Sequence, residues 1–294
     1  MILKSGDKVG IVGCSNAQLL SYKSKIEKLL NVITNMGLIP VCSDFIFEKY
    51  SVFSGKPEER ANALLEFYAD NEIKAIFDIS GGDVANEILE YLDFDLIKKN
   101  TKPFFGYSDL TTIINTLYTK TGAVSYLYQI RNLIYDCKET QIERFVNSLF
   151  YEKKDLFDID YSFIQGNSME GIVIGGNIRC FLKLAGTPYL PNFQNKILFL
   201  EAFSGDAALM TTFFNQLKQM GVFSQINGIL LGTFTKMEEL NIEPTVQSIL
   251  KSVINNEKLP IAKTNDIGHG TNSKCIAIGK FYSISLGEKS RTHS

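Results

Sequence analysis

Two stretches decide the fold class: AIFDISGGDVANEIL at residues 75–89 and PFFGYSDLTTIINTLY at residues 103–118. Each begins with a short apolar run, crosses a polar turn that contains glycine, and continues with apolar residues at helical spacing. The predicted elements are a strand at 75–79, a helix at 83–92, a strand at 103–107 and a helix at 110–118. Strands that alternate with helices predict a parallel sheet covered by helices.

The same alternation starts near the amino terminus, where KVGIV predicts a strand at 8–12 and apolar spacing predicts a helix at 22–36. In open parallel sheets, ligands bind beyond the carboxyl ends of the strands. We therefore expect a ligand site at three polar loops that contain glycine, which lie at residues 13–16, 80–83 and 106–109.

The chain of 294 residues is long enough for two domains. Residues 1–135 are predicted to form an N-terminal α/β domain around a parallel sheet. Residues 169–294 have shorter elements and are predicted to form a smaller, mixed α/β C-terminal domain. Residues 136–168, a charged helix followed by the polar stretch YEKKDLFDID, are predicted to link the two domains.

Composition argues against several classes of function. The net charge of −2 and the pI near 5.8 give no basic surface for nucleic acid. No stretch resembles a membrane span or the apolar core of a secretory signal, so we expect a soluble, cytoplasmic protein without a membrane partner. The five cysteines are scattered and form no CxxC pair, and there are only two histidines. No disulfide framework, metal site or cofactor site is therefore predicted.

Ser108 lies in the sequence Gly-Tyr-Ser-Asp, between a predicted strand and a predicted helix. Such a turn can hold a nucleophilic hydroxyl outward, and the free amides at the helix start can stabilise an oxyanion. The motif lacks the second glycine of G-x-S-x-G. On the pattern alone, Ser108 or Asp109 could equally serve as a helix cap.

Two further residues are candidates for the chemistry of this serine. His269 lies between two glycines, and histidine as a residue type titrates near neutral pH, as a base for serine must. Its alternative is a structural loop residue, while His293 lies near the carboxyl terminus, where order is not expected. Glu201 ends the apolar strand KILFLE and could orient a histidine, or it could simply face solvent.

Gly81 and Gly82 follow the strand AIFDIS, and tight glycine turns leave backbone N–H groups free to bind anions. A nucleotide site is the alternative interpretation of this turn. The chain contains neither G-x-G-x-x-G spacing here nor a G-x-x-x-x-G-K-[ST] motif, which disfavours a nucleotide site.

These motifs occur in an order that resembles the LD-carboxypeptidase family of serine peptidases, which includes the microcin C immunity hydrolases. The resemblance runs over nearly the full length of the chain. The matching stretches are GDKVGIVGCS, SGG, LEYLDFDLIKKNTKPFFGYSDLT, GIVIGGNIRCFLKLAGTPYLP, KILFLE, INGILLGTF and LPIAKTNDIGHGTNSKCIAIG.

The resemblance implies a Ser–His–Glu triad formed by Ser108, His269 and Glu201, and an oxyanion hole formed by the backbone amides of Gly82 and Asp109. It implies an active site in the cleft between the two domains, a homodimer, and a small peptide as substrate. That substrate would be a murein tetrapeptide, cleaved at its L,D-peptide bond. The alternatives are a microcin C-type hydrolase of peptidyl or aminoacyl nucleotides, and a binding protein without catalysis on the same fold.

The chain also departs from the family pattern. The His-Gly-Pro that usually follows the helix after the nucleophile is replaced by VSYLYQIRNL, at residues 124–133. The arginine that usually follows the glutamate of the triad is absent from EAFSGDAALMTTFFNQL, and the chain contains no tryptophan. These departures concern the substrate pocket and the dimer contacts rather than the triad.

Overall fold

The computed structural model describes residues 3–287 and a two-residue strand at 291–292, so His293 lies outside the described residues. The strands in this part of the chain are β1 Lys8–Val12, β2 Ile39–Cys42, β3 Ile73–Asp78, β4 Phe104–Gly106, β5 Ser125–Leu127, β6 Ser162–Gln165, β7 Ser168–Asn177, β8 Lys196–Ala202, β9 Gly228–Phe234, β10 Ile261–Lys263, β11 Ile276–Ile278, β12 Phe281–Ser285 and β13 Arg291–Thr292.

The helices complete the alternation of elements. The α-helices of the same residues are α1 Lys23–Asn35, α2 Pro57–Ala69, α3 Phe94–Lys99, α4 Thr111–Thr121, α5 Lys138–Phe150, α6 Ile178–Leu182, α7 Ala207–Gln219, α8 Thr235–Glu239 and α9 Val246–Ile254. Short 3₁₀ helices lie at Leu20–Tyr22, Ala85–Tyr91, Ser108–Leu110, Ile130–Ile134 and Val222–Ser224.

The first sheet has the strand order β11-β5-β4-β3-β1-β2, and its first five strands in sequence are parallel. Successive side chains of a strand point to opposite faces of the sheet, and the strands of this sheet are apolar on both faces. Helices therefore cover both faces. Phe77 packs in the same apolar cluster as α1 and α5, whereas Ile76 packs with α2, α3 and α4. The strand order reverses between β1 and β3, and this reversal opens a crevice at the carboxyl ends of these strands.

The second sheet has the order β13-β12-β7-β8-β9-β10-β6. Strands β7 to β10 are parallel, and β6 and β12 join their edges in antiparallel orientation. One face packs against α7 and α9 in an apolar cluster that contains Leu198 and Leu231. The opposite face, with Val173 and Phe199, belongs to the same cluster as Ile113 of α4. The two sheets therefore share a continuous core through α4.

The α4 helix is also held to the second sheet by a buried polar contact. The side chain of Asn115 donates to the carbonyl of Gly175 at 2.8 Å and accepts from the amide of Gly175 at 2.9 Å. The hydroxyl of Thr111 accepts from the amide of Asn177 at 3.0 Å. A side chain at Gly176 would lie 2.6 Å from this hydroxyl, so glycine permits the close approach.

Several elements differ from the sequence predictions. The predicted helix at 83–92 is a 3₁₀ helix at Ala85–Tyr91, and Asp93 caps the helix that follows it. The strand β11 lies at the edge of the first sheet, although it follows most of the second sheet in sequence. Its three residues are all buried, and such a short apolar run carries no signal for one sheet over another.

The predicted two-domain α/β architecture is confirmed, with parallel pairing dominant in both sheets. The predicted limits at 135 and 169 stay a prediction. Within the segment 136–168, α5 packs with the first sheet, through Phe145, while β6 pairs with β10 of the second sheet.

Candidate active site

Ser108 lies at a sharp turn between β4 and α4. Its φ angle is 55°, in the left-handed region that non-glycine residues seldom adopt. The 3₁₀ helix Ser108–Leu110 starts here and leads directly into α4, and neither helix has a side-chain cap. The structure therefore does not show the capping role that the sequence left open for Ser108. A strained serine on a strand–helix turn has the geometry of a nucleophile elbow.

The carboxylate of Asp109 connects three segments around this turn. It is fully buried and accepts hydrogen bonds from the hydroxyl of Ser15 at 2.7 Å and from the amide of Ala85 at 2.8 Å. It also forms an ion pair of 2.5 Å with Lys183, which follows α6 in the second domain. The side chain therefore fixes the loops after β1 and β3 against the turn that bears Ser108.

The loop after β3 is held equally closely. Gly82 has a φ angle of 119°, and a Cβ atom there would come within 2.3 Å of the Asn16 side chain. Asn16 accepts from the amide of Asp83 at 2.8 Å, and the carbonyl of Gly82 accepts from Arg179 at 3.0 Å. The Gly82 amide has no hydrogen-bond partner among the described residues. It is therefore available to an anion.

The buried side chain of Asp78 binds the backbone of both loops. Its buried carboxylate accepts from the amide of Cys14 at 2.8 Å and from the amide of Ser80 at 2.7 Å. Burial raises the pKa of Asp78 above its usual range, while the hydrogen bonds from Ser80 and Cys14 oppose that rise. These bonds hold the loops after β1 and β3 side by side.

Glu201 and His269 form a direct contact in the second domain. The ring nitrogen Nδ1 of His269 lies 2.6 Å from Oε2 of Glu201, whose side chain is fully buried near the end of β8. The solvent-facing alternative for Glu201 is thus not observed. A carboxylate can only accept, so Nδ1–H donates and the other ring nitrogen, Nε2, is left as an acceptor.

Two aromatic rings pack against the imidazole of His269. The ring centroid of Tyr107 lies 4.5 Å away, and that of Phe203 lies 5.0 Å away and is nearly parallel. The hydroxyl of Tyr107 donates to the carbonyl of Gly268 at 2.9 Å and so joins the turn of Ser108 to the loop of His269. Burial, followed by the charge of Glu201, raises the pKa of Tyr107, which keeps this hydroxyl protonated as a donor.

A cavity of about 390 Å³ brings these groups together between the two domains. Ser108, Gly82 and His269 all line it, while Glu201 lies behind His269. The side chain of Asp109 points away from the cavity into its buried network, so its predicted contribution is limited to the backbone amide. The volume suits part of a peptide rather than a large polymer.

Sequence analysis did not single out four residues that shape this site: Tyr107, Arg131, Arg179 and Lys183. Tyr107 and Lys183 act through contacts across 161 and 74 positions of sequence, which no local pattern reveals. Arg131 and Arg179 line the cavity. For Arg131, the sequence contained one indication of a role in the site, since this residue lies in a stretch that departs from the family pattern.

No group of three or more histidine, cysteine, aspartate or glutamate side chains suited to a metal ion occurs within residues 3–287 or 291–292. In the same residues, no helix has the length and apolar character to cross a membrane.

The chain belongs to the LD-carboxypeptidase family. Residues 9–128 match the LD-carboxypeptidase N-terminal domain, and residues 170–284 match the LD-carboxypeptidase C-terminal domain. The two matches leave the polar connection between them uncovered, in keeping with the two sheets of the fold.

Similar proteins include peptide hydrolases and immunity proteins. A Bacillus subtilis protein named "Probable murein peptide carboxypeptidase" is 25% identical, over 98% of this chain and 91% of its own length. The Escherichia coli microcin C7 self-immunity protein MccF is 24% identical, over 98% of this chain and 93% of its own. MccF solved in complex with glutamyl sulfamoyl guanosine superimposes with a TM-score of 0.89 at 22% identity, covering 100% of this chain and 98% of MccF. A MccF-like protein from Bacillus anthracis gives 0.85 at 27% identity, covering 100% and 99%.

Proposed function

We propose that this chain is a serine hydrolase that cleaves the L,D-peptide bond of a murein tetrapeptide. The observation that carries the proposal is that Ser108, in a strained turn, lines the same cavity as His269 with its Glu201 partner. Family membership and the murein peptide carboxypeptidase of Bacillus subtilis support the substrate class.

The reaction would proceed in two halves. Oγ of Ser108 attacks the scissile carbonyl carbon while Nε2 of His269 takes its proton. The negative oxygen of the tetrahedral intermediate receives hydrogen bonds from the amides of Gly82 and Asp109. The C–N bond then breaks, His269 returns the proton to the leaving amine, and an acyl-enzyme remains on Ser108. In the second half, water attacks the ester carbonyl carbon while His269 takes its proton, the C–Oγ bond breaks, and His269 returns the proton to Oγ of Ser108.

Glu201 would orient the imidazole and stabilise its charged form. Its 2.6 Å contact to Nδ1 fixes the tautomer in which Nε2 is free to accept the proton of Ser108. The rings of Tyr107 and Phe203 pack against the imidazole and would restrict its rotation. In this mechanism His269 is the side chain that takes up and releases the proton, and Glu201 stays ionised.

The direct test is the release of D-alanine from a murein tetrapeptide by the unmodified protein and by Ser108→Ala. We expect the substitution to lower kcat by at least about 10³-fold, because the nucleophile is lost while the fold remains. Activity that survives in Ser108→Ala would exclude the mechanism.

A fluorophosphonate probe separates this proposal from the non-catalytic binding protein. Labelling of the unmodified protein and of Ser204→Ala, whose serine is exposed at the same cavity, should be equal. Labelling of Ser108→Ala should be absent. If the folded, unmodified protein takes no label and cleaves nothing, the binding-protein alternative is favoured.

A second candidate function is hydrolysis of a peptidyl or aminoacyl nucleotide, as in microcin C immunity. The aromatic side chains of Tyr22, Phe203 and Phe213 line the cavity and offer surfaces on which a base could stack. MccF, which shares the fold, has been solved with glutamyl sulfamoyl guanosine. Comparing kcat/KM for an aminoacyl sulfamoyl nucleoside and for a murein tetrapeptide in one assay distinguishes the two candidates.

We also propose a homodimer in the cytoplasm, on the family resemblance alone. Sedimentation velocity at micromolar concentration should give a species of about twice the chain mass of 33.0 kDa. A single species at the chain mass would contradict the proposed dimer without affecting the proposed chemistry.

A further inference from the structure

Two arginines line the cavity, and they differ in how their charge is balanced. Arg179 forms an ion pair with Asp83 and donates to the carbonyl of Gly82. Arg131 donates only to neutral amide oxygens, those of Gln129 at 3.3 Å and Gln18 at 3.2 Å. Within the described residues, no carboxylate lies within 4.0 Å of the Arg131 guanidinium. Arg131 is therefore a cationic side chain of the cavity to which the described residues supply no counter-ion.

The position of this guanidinium is fixed by its neutral partners. Gln18 is 6% exposed, and its amide nitrogen donates to the carbonyl of Ile79 at 3.1 Å, so its oxygen is turned to Arg131. Gln129 is also 6% exposed and accepts from both the backbone and Nε of Arg131. These bonds use Nε and one terminal nitrogen, and the other terminal nitrogen, Nη2, has no partner in residues 3–287. An oriented guanidinium with free N–H groups suits a carboxylate.

Strand pairing brings the segments that carry Arg131 and Ser108 to neighbouring strand ends. β4 and β5 are neighbouring parallel strands, with Gly106 opposite Leu127. The backbone amide of Tyr128 donates to the carbonyl of Gly106 at 2.9 Å. Ser108 lies two residues beyond Gly106, and Arg131 lies four residues beyond Leu127 on the 3₁₀ helix that follows β5. Adjacent strands are about 4.8 Å apart. The two side chains therefore reach the cavity from neighbouring strand ends.

A terminal carboxylate would lie at a matching distance from the bond that is cleaved. In a peptide with one residue after the scissile bond, the carboxylate carbon is one residue beyond the scissile carbonyl carbon, at most about 3.6 Å away. A guanidinium on the strand next to the nucleophile can reach such a group. A chain that continued past this residue would instead place an uncharged amide against Arg131.

We infer that Arg131 binds the terminal carboxylate of the leaving residue and so restricts cleavage to the last bond of the peptide. The inference rests on the proposed peptidase function and names the residue that determines the length of the leaving group. Arg131 stands in VSYLYQIRNL, at residues 124–133, the stretch in which this chain departs from its family pattern.

The test compares a murein tetrapeptide that ends in D-alanine with the same peptide amidated at its carboxyl terminus. The unmodified protein should prefer the free acid by at least about 10²-fold in kcat/KM, since a charged hydrogen bond in a cavity contributes strongly. In Arg131→Gln the preference should fall to within about fivefold. The loss should come mainly from KM, because the carboxylate is bound equally in the ground state and the transition state. Arg131→Lys should restore part of the preference.

A third peptide with lysine in place of diaminopimelate, and with a free terminus, identifies which carboxylate is bound. If Arg131 binds the terminal carboxylate, Arg131→Gln should lower the cleavage of this peptide as much as it lowers the cleavage of the original peptide. Equal loss for the acid and the amide in Arg131→Gln would assign a structural role to the arginine and overturn the inference.

Binding measurements separate failure of this inference from failure of the proposed function. If the unmodified protein cleaves neither peptide, the proposed function fails, and titration calorimetry with Ser108→Ala still tests the anchor. The anchor would be supported if Ser108→Ala binds the acid more tightly than the amide and if Ser108→Ala/Arg131→Gln no longer shows this difference. Equal or undetectable binding of both peptides would overturn it.

Discussion

Ser108 adopts a left-handed backbone conformation, with a φ angle of 55°, which costs a residue with a Cβ atom about 1–2 kcal/mol. The surrounding contacts, above all the buried carboxylate of Asp109, hold the turn in this state. The strain keeps the hydroxyl on the cavity wall rather than in a capping bond. The nucleophilic role that we propose for Ser108 therefore opposes stability at this single residue.

Replacing Ser108 by glycine tests this opposition. Glycine adopts the left-handed region without a Cβ clash, so Ser108→Gly should raise the free energy of unfolding by about 1 kcal/mol relative to Ser108→Ala. Both variants should be inactive, since both lack the hydroxyl. Urea denaturation of the pair measures the difference. Equal midpoints in the two variants would show that the turn is not strained.

Glu201 is the second residue at which a small change should have a large effect. Glu201→Gln keeps the volume of the side chain but replaces a strong acceptor at Nδ1 of His269 with an amide that can turn its donor to the ring. We expect kcat to fall by about 10²–10⁴-fold with the melting temperature changed only slightly. Steady-state kinetics and thermal unfolding on the same preparation check both expectations. An unchanged kcat would remove Glu201 from the mechanism.

At the scale of elements, α4 organises the site because one end carries the nucleophile turn and its middle is bonded to the second sheet. The helix starts directly after the turn of Ser108, and Asn115 pairs with both backbone groups of Gly175 on β7. β7 continues into α6, and Lys183, which follows α6, reaches Asp109. Movement of α4 against β7 would therefore disturb the nucleophile turn from two sides.

The bond between α4 and β7 can be tested at Asn115. Asn115→Ala leaves a buried amide and a buried carbonyl of Gly175 without partners, and each unsatisfied group costs about 1–3 kcal/mol. We expect the free energy of unfolding to fall by about 2–4 kcal/mol. Thr119→Ala, one turn later on the same helix, removes only a local hydroxyl bond and should cost less than about 1 kcal/mol. Equal effects would contradict a specific role for the Asn115 contact.

At the scale of the whole molecule, the two sheets present the carboxyl ends of their parallel strands to one cavity. Polar contacts cross between the domains at this cavity, and among them are the bonds that join Tyr107 to Gly268, Arg179 to Gly82, and Lys183 to Asp109. The shared apolar core under α4 adds a continuous interface. The domains are therefore expected to unfold together rather than in separate steps.

Alkaline unfolding is a further property of the whole molecule. Burial raises the pKa of Tyr68, Tyr107, Tyr128 and Tyr282 far above the ordinary value, and raises the pKa of Tyr126 to about 12. Above pH 10 the folded protein keeps protons that the unfolded chain releases, so stability falls as pH rises. Each such tyrosine contributes about 1.4 kcal/mol per pH unit.

We therefore expect the phenolate absorbance of these tyrosines to appear together with the loss of helical circular dichroism above pH 10. Tyr68→Phe should reduce the dependence of stability on pH by the contribution of one group. Phenolate formation by all tyrosines in a protein that keeps its circular dichroism would contradict this expectation.

The sequence alone determined the alternation of strands and helices, the turn at Ser108, and the loops that end at Gly82 and His269. These features follow from local rules, since apolar spacing and glycine turns act within about ten residues. The ordered set of family motifs then selected Ser108, Glu201 and His269 as candidates for one site. The choice of these three residues required no knowledge of which distant residues are in contact.

Only the tertiary structure decided which side chains meet and which charges remain unbalanced. The contact of His269 with Glu201, the bond of Tyr107 to Gly268, and the transfer of β11 to the first sheet join residues far apart in sequence. Whether Arg131 has a counter-ion depends on every neighbour that folding brings around it. Such outcomes are set by packing of the whole chain, because each depends on distances that no local pattern encodes.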